Sequence, residues 1–92
     1  MNLRDAIRGL YDGDDESTIY AAKPWMPDSH ALVIFEPEPG QYQEKAREMG
    51  LVYFLEVYIA QEFLEGWISN FDTEPTLEEK CNRLIQYAIN DA

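Results

Sequence analysis

Residues 51–71 read LVYFLEVYIAQEFLEGWISNF, and whatever this stretch forms has to be the spine of the molecule. Tyr58, Glu62, Glu65 and Ser69 fall at i, i+4, i+7 and i+11, a single polar stripe on a helix from about Tyr53 to Ser69, with most remaining positions apolar. A helix with so narrow a polar face is mostly buried. Its opening, LVYFL, is equally rich in strand-forming residues, so a third strand over 51–55 is the competing assignment. On the helical reading Glu56 has Val52, Tyr53, Ile59, Ala60 and Phe63 as neighbours and projects from an apolar face, about 120° from the polar stripe. A carboxylate there is at least half buried and needs partners or a proton. It is either an internal hydrogen-bonding group or a general acid/base, and no second catalytic residue type accompanies it, which favours the structural role.

The remaining elements follow from shorter patterns. Leu3, Ala6, Ile7, Leu10 and Tyr11 recur at helical spacing behind Asn2, a capping residue with Asp5 three positions on, which predicts a short amphipathic helix over 3–11. STIYAA (17–22) and ALVIFE (31–36) are β-branched and aromatic enough for two strands that pair antiparallel. Between them lies KPWMPDSH, where Pro24 and Pro27 stiffen a loop that carries Trp25 and Met26. EPEPG ends the second strand, because Pro37 and Pro39 cannot donate to a ladder, and 41–49 has helix-forming composition that stops at Gly50. Thr76 and Glu79 stand as N-cap and N3 of a capping box, with Leu77, Cys81, Leu84, Ile85, Ala88 and Ile89 as the inward face of a terminal helix. Such elements bury their apolar faces only by stacking. The expected fold is therefore a single α+β domain over 1–92 in two layers, a hairpin with an optional third strand against a long buried helix and a C-terminal amphipathic helix.

Charge limits what such a domain can bind. Eighteen acids against seven bases leave a net charge of −11, while a hydrophobic fraction of 46% is too high for a disordered chain. This balance repels DNA, RNA and anionic lipid, so neither direct nucleic-acid binding nor membrane binding is expected, and it favours encounter with a basic protein. Cys81, the only cysteine, has no internal disulfide partner, MNLRDAIRGL offers no apolar secretory core, and no apolar run is long enough to span a bilayer. A cytoplasmic location is expected.

Catalytic and metal patterns fail on inspection. YDGDDES (11–17) places Asp12, Asp14 and Glu16 at positions 1, 3 and 5 of a calcium loop, but Ser17 stands where glycine is needed and Lys23 where a bidentate glutamate is needed. His30 is the only histidine, its neighbours Asp28 and Ser29 cannot form a triad with it within one short segment, and no glycine pattern cradles a phosphate. No catalytic residue, metal or cofactor is assigned. Trp25 on its proline-bounded loop has the composition of an interface anchor, although in a domain this small such a ring more often folds back over the core.

Three segments, IYAAKPWMPDS, YFLEVYIAQEFLEGWI and TLEEKCNRLIQYAINDA, together resemble a small bacterial domain family of unknown function and cover about half of the chain. The resemblance implies a bacterial or phage-related intracellular protein and brings no activity or catalytic residues with it. The leading expectation is a non-enzymatic inhibitor or immunity-type protein that covers a basic or nucleic-acid-binding surface of another protein. Its partner-binding residues would be Asp12, Asp14, Asp15 and Glu16 of the acidic turn with Trp25, Asp28, Glu36 and Glu38, strung along the hairpin. The alternatives are a housekeeping or regulatory domain whose acidity serves solubility only, and a small enzyme that uses Glu56 with a tyrosine in a small pocket.

Overall fold

The computed structural model describes residues 1–38 and 40–91, so Pro39 of the EPEPG segment lies outside the described residues. Seven elements follow one another as α1 (Leu3–Arg8), β1 (Ser17–Ala21), β2 (Ala31–Phe35), α2 (Gln43–Glu48), β3 (Val52–Glu56), α3 (Val57–Ile68) and α4 (Leu77–Asp91). The strands form one antiparallel sheet in the order β2-β1-β3. The α+β class and the β1–β2 hairpin are as the sequence predicts, with Ser17 opposite Phe35 and Ala21 opposite Ala31.

The long helix expected from Tyr53 to Ser69 is instead a strand and a helix with no loop between them. Its competitor at 51–55 wins because β1 is the central strand, and β3 satisfies the backbone groups along its second edge. LVYFL has the residue types for that, and Glu56, with φ −73° and ψ 144°, is both the last strand residue and the N-cap of α3. The register slips by one between Ile19, opposite Leu55, and Tyr20, opposite Tyr53, which leaves Phe54 as the extra residue of a bulge. Phe54 and Leu55 thereby both reach the core, at 2% and 3% exposure.

Caps decide where the helices stop. Asn2 and Asp5 form the capping box of α1, which ends at Gly9 rather than running to residue 11. Helix α2 closes in a Schellman motif: Leu51 N–H donates to Ala46 O at 2.9 Å, Gly50 N–H donates to Arg47 O at 2.9 Å, and Gly50 takes φ +80°. The box at the start of α4 is also formed, Glu79 N–H donating to Thr76 Oγ1 at 3.2 Å and Thr76 N–H to Glu79 Oε1 at 2.9 Å.

Helices α1, α3 and α4 pack on one face of the sheet, where Leu3, Ile7, Val57, Leu64, Cys81 and Leu84 join Ile19, Ala21, Ala31 and Leu55 in one core. The other face is covered in part by α2, whose Ala46 lies with Leu51 against Tyr20. That small second core adds to the two layers expected. A radius of gyration of 12.6 Å, against about 12 Å for a compact chain of this length, fits one domain.

Candidate functional site

At the end of the hairpin, β2 runs into Glu36, whose N–H donates to Glu16 O at 3.2 Å. Its carboxylate turns inward onto the α2 side of the sheet and is 5% exposed. Tyr20 Oη donates to both oxygens, at 2.8 and 3.0 Å, and Tyr42 N–H donates at 3.1 Å. Burial by itself would push this carboxyl up, but hydrogen bonds from Tyr42 N–H, the Tyr20 and Thr18 hydroxyls and Gly40 N–H outweigh it and hold the group below the usual carboxylate range. Burial, then the hydrogen bond to Glu36 and its charge, push the Tyr20 phenol upward in turn. Glu36 is thus not on the partner-facing surface expected along the hairpin: its charge fastens the segment leading to α2 onto the central strand.

Glu56 was expected on the apolar face of a helix. It sits instead at the end of β3, opposite Thr18, half-buried, and makes no capping bond to α3. It faces Tyr58, whose hydroxyl is pushed up by the Glu56 charge, then by burial and a hydrogen bond to the same carboxylate. Both line an open cleft of ≈ 260 Å³ together with Asp15, Glu16, Ser17, Thr18, Glu36 and Pro37.

Asp15 and Glu16 bring one end of the acidic turn to this cleft. Asp12, Asp14, Asp15 and Glu16 are all exposed, and the turn is shaped by Asp14, whose side chain accepts Glu16 N–H at 2.9 Å and whose carbonyl accepts Ser17 N–H at 3.1 Å. Among the described residues the ion pairs lie elsewhere, joining Arg4 to Asp28 and Glu78, Arg8 to Asp5, and Lys80 to Glu74. The charge of the turn is therefore uncompensated. Glu38 is also exposed, whereas no group of three metal-ligating side chains converges anywhere among the described residues.

The far end of the hairpin is built differently. Trp25 folds back over the core: its Nε1–H donates to Ala21 O at 3.2 Å, its ring meets Phe54 edge-on at 5.0 Å between centroids, and Lys23 Nζ stands 4.8 Å from the ring centre. Asp28 is exposed but paired with Arg4 at 2.6 Å. The two residues proposed at this end, Trp25 and Asp28, are thus engaged within the molecule; Met26, on the same loop, is 54% exposed.

One feature was missed. Val33 and Phe35 of β2 are 38% and 49% exposed, although ALVIFE reads as a continuous apolar run suited to burial on both faces. The signal available was its neighbour EPEPG, whose prolines keep a strand at the edge of a sheet. No family model matches the chain, and neither a curated protein nor a solved structure matches it. Among the described residues no helix is long and apolar enough to cross a membrane.

Proposed function

We propose that this chain is a non-enzymatic binding protein whose acidic turn meets a basic protein partner, and that it acts as an inhibitor or immunity-type protein covering a basic or nucleic-acid-binding surface. The observation that supports this reading is the concentration of Asp12, Asp14, Asp15 and Glu16, exposed and without ion-pair partners, at one end of the sheet, while arginines and a lysine elsewhere are matched with acids. Like charges held together cost stability, and a cationic partner removes that cost while speeding encounter. Glu38 is exposed as well, and Trp25, Asp28 and Glu36, being engaged in contacts within the molecule, contribute less than the sequence suggests. A free, buried Cys81 accords with a reducing compartment.

The test is capture by the immobilised full chain from an extract of its own cell, at low and high salt. A basic protein retained at low salt, released at high salt and not retained by the double substitution Asp14→Lys with Asp15→Lys is the expected result. Retention indifferent to salt and to both substitutions would overturn the reading. A second reading, a small enzyme, draws on the cleft in which Glu56 faces Tyr58. Its mark would be a small polar molecule that raises the melting temperature of the native chain but not of Glu56→Gln.

A further inference from the structure

The hydrogen bonds that flank the hairpin, Glu36 N–H to Glu16 O and Ala22 N–H to His30 O, identify which residue pairs close its ladder. By alternation these are 16 with 36, 18 with 34, 20 with 32 and 22 with 30, so Ala31, Val33 and Phe35 turn their N–H and C=O groups away from β1, toward the open edge of the sheet. Ala31 N–H is taken by Met1 O at 3.0 Å, and Asn2 bridges to His30, so the N-terminal segment covers only the start of that edge. Val33 and Phe35 have no backbone partner there among the described residues.

Side chains make the same stretch adhesive. Val33, cross-strand from Ile19, and Phe35, cross-strand from Ser17, lie on the helix side of the sheet and stay exposed. Beside them Val33 joins Met1, Leu10 and Val57 in a shallow cleft of ≈ 140 Å³ whose rim carries Asp14. Open main-chain groups, apolar side chains and Asp14, an acid of the turn with no ion-pair partner among the described residues, thus converge on one edge.

The geometry points to β2 as a docking edge that adds a strand from the partner: an extended basic segment in which arginine or lysine alternates with β-branched residues. The inference rests on the proposed binding of a basic protein and names how that protein is held. Main-chain bonds to Val33 and Phe35 supply the register, the alkyl stems of the basic side chains lie along the exposed valine and phenylalanine, and their charged heads reach Asp14, Asp15 and Glu16. A second copy of this chain is the wrong occupant, since each copy carries −11.

The probe is a capped peptide of about eight residues alternating arginine and valine, enough to span the five residues of β2, titrated against the full chain. Two charge-matched relatives are N-methylated, one at every valine and one at every arginine. Since a docked strand uses the N–H groups of one edge only, at least one relative is expected to bind about tenfold more weakly or worse. Val33→Pro, which removes an outward N–H and leaves the inner bonds of Leu32 and Ile34 in place, gives the same loss. Asp14→Lys with Asp15→Lys weakens all three peptides and flattens their salt dependence. Equal binding of all three peptides, lost on charge reversal, would overturn the docking edge while leaving the acidic-surface reading intact; binding untouched by charge reversal would overturn that reading itself. Failure of the parent peptide to bind, or a concentration-dependent dimer that Val33→Pro abolishes, would also overturn the docking edge.

Discussion

Two glutamates exchange roles between sequence and structure, and the exchange is testable one residue at a time. Glu36 is held by Tyr20 Oη and Tyr42 N–H, so Glu36→Ala strands both donors and is expected to cost about 1–3 kcal/mol, whereas Glu56→Ala, at a half-open cleft, should cost less than about 1 kcal/mol. Denaturant midpoints of the two variants check the order. Because the folded state holds the Glu36 carboxyl low, its contribution is present above the unfolded carboxyl value near ~4.3 and is lost as pH falls through the lower folded value. Glu36→Gln should therefore flatten the acid side of the stability curve, measured between about pH 6 and about pH 3; an acid limb as steep as the native one would show that other carboxylates set it. At Cys81 the thiol is fully buried and burial pushes it up to about 11. Labelling by a thiol reagent should accordingly track global unfolding, and rapid stoichiometric labelling of the native protein would show that face of α4 to be open.

Elements are governed by their ends. Gly50 sits at φ +80° in the Schellman motif that turns α2 into β3, so Gly50→Ala forces a left-handed alanine and should cost about 1–2 kcal/mol. Gly66 lies inside α3 with open space around it, and Gly66→Ala should stabilise by about 0.5–1 kcal/mol. Opposite shifts of the two melting temperatures are the expected outcome, and shifts of the same sign would mean that one of the two backbones is misassigned. Both capping boxes and the two prolines around Trp25 were legible in the chain, because caps and turns depend on residues three or four apart. The strand-to-helix junction at Glu56 was not, since LVYFL satisfies either pattern until β1 offers it an edge.

For the molecule as a whole, net charge works against folding and, on the proposed reading, serves association. At −11 the native state repels itself, so raising the ionic strength should raise the melting temperature, and Asp12→Lys with Asp15→Lys, which keeps the Asp14 carboxylate that accepts Glu16 N–H, should leave the fold at least as stable as the native one. The same double substitution is expected to remove salt-dependent partner binding. A surface that is more stable without its charge and inactive without it is what a binding role requires; a destabilised double variant would instead assign the turn a part in the fold. Trp25→Ala, by contrast, opens a gap against Phe54 and should cost roughly 2–4 kcal/mol, read by denaturation rather than by an off-rate.

The sequence by itself determined the elements whose physics is local: α1 behind Asn2, the hairpin strands, the stop at Gly50, α4 behind Thr76, and the burial of Cys81 on a face spaced by helical periodicity. It also determined the sign and position of the acidic turn. Only the tertiary structure decided that 52–56 is a strand, that Glu36 rather than Glu56 is the enclosed carboxylate, that Trp25 closes over Phe54, and that Val33 and Phe35 are left at an edge. Each of these depends on which residue of a distant segment arrives beside it, and a free backbone edge or a waiting tyrosine hydroxyl exists only once the sheet has formed.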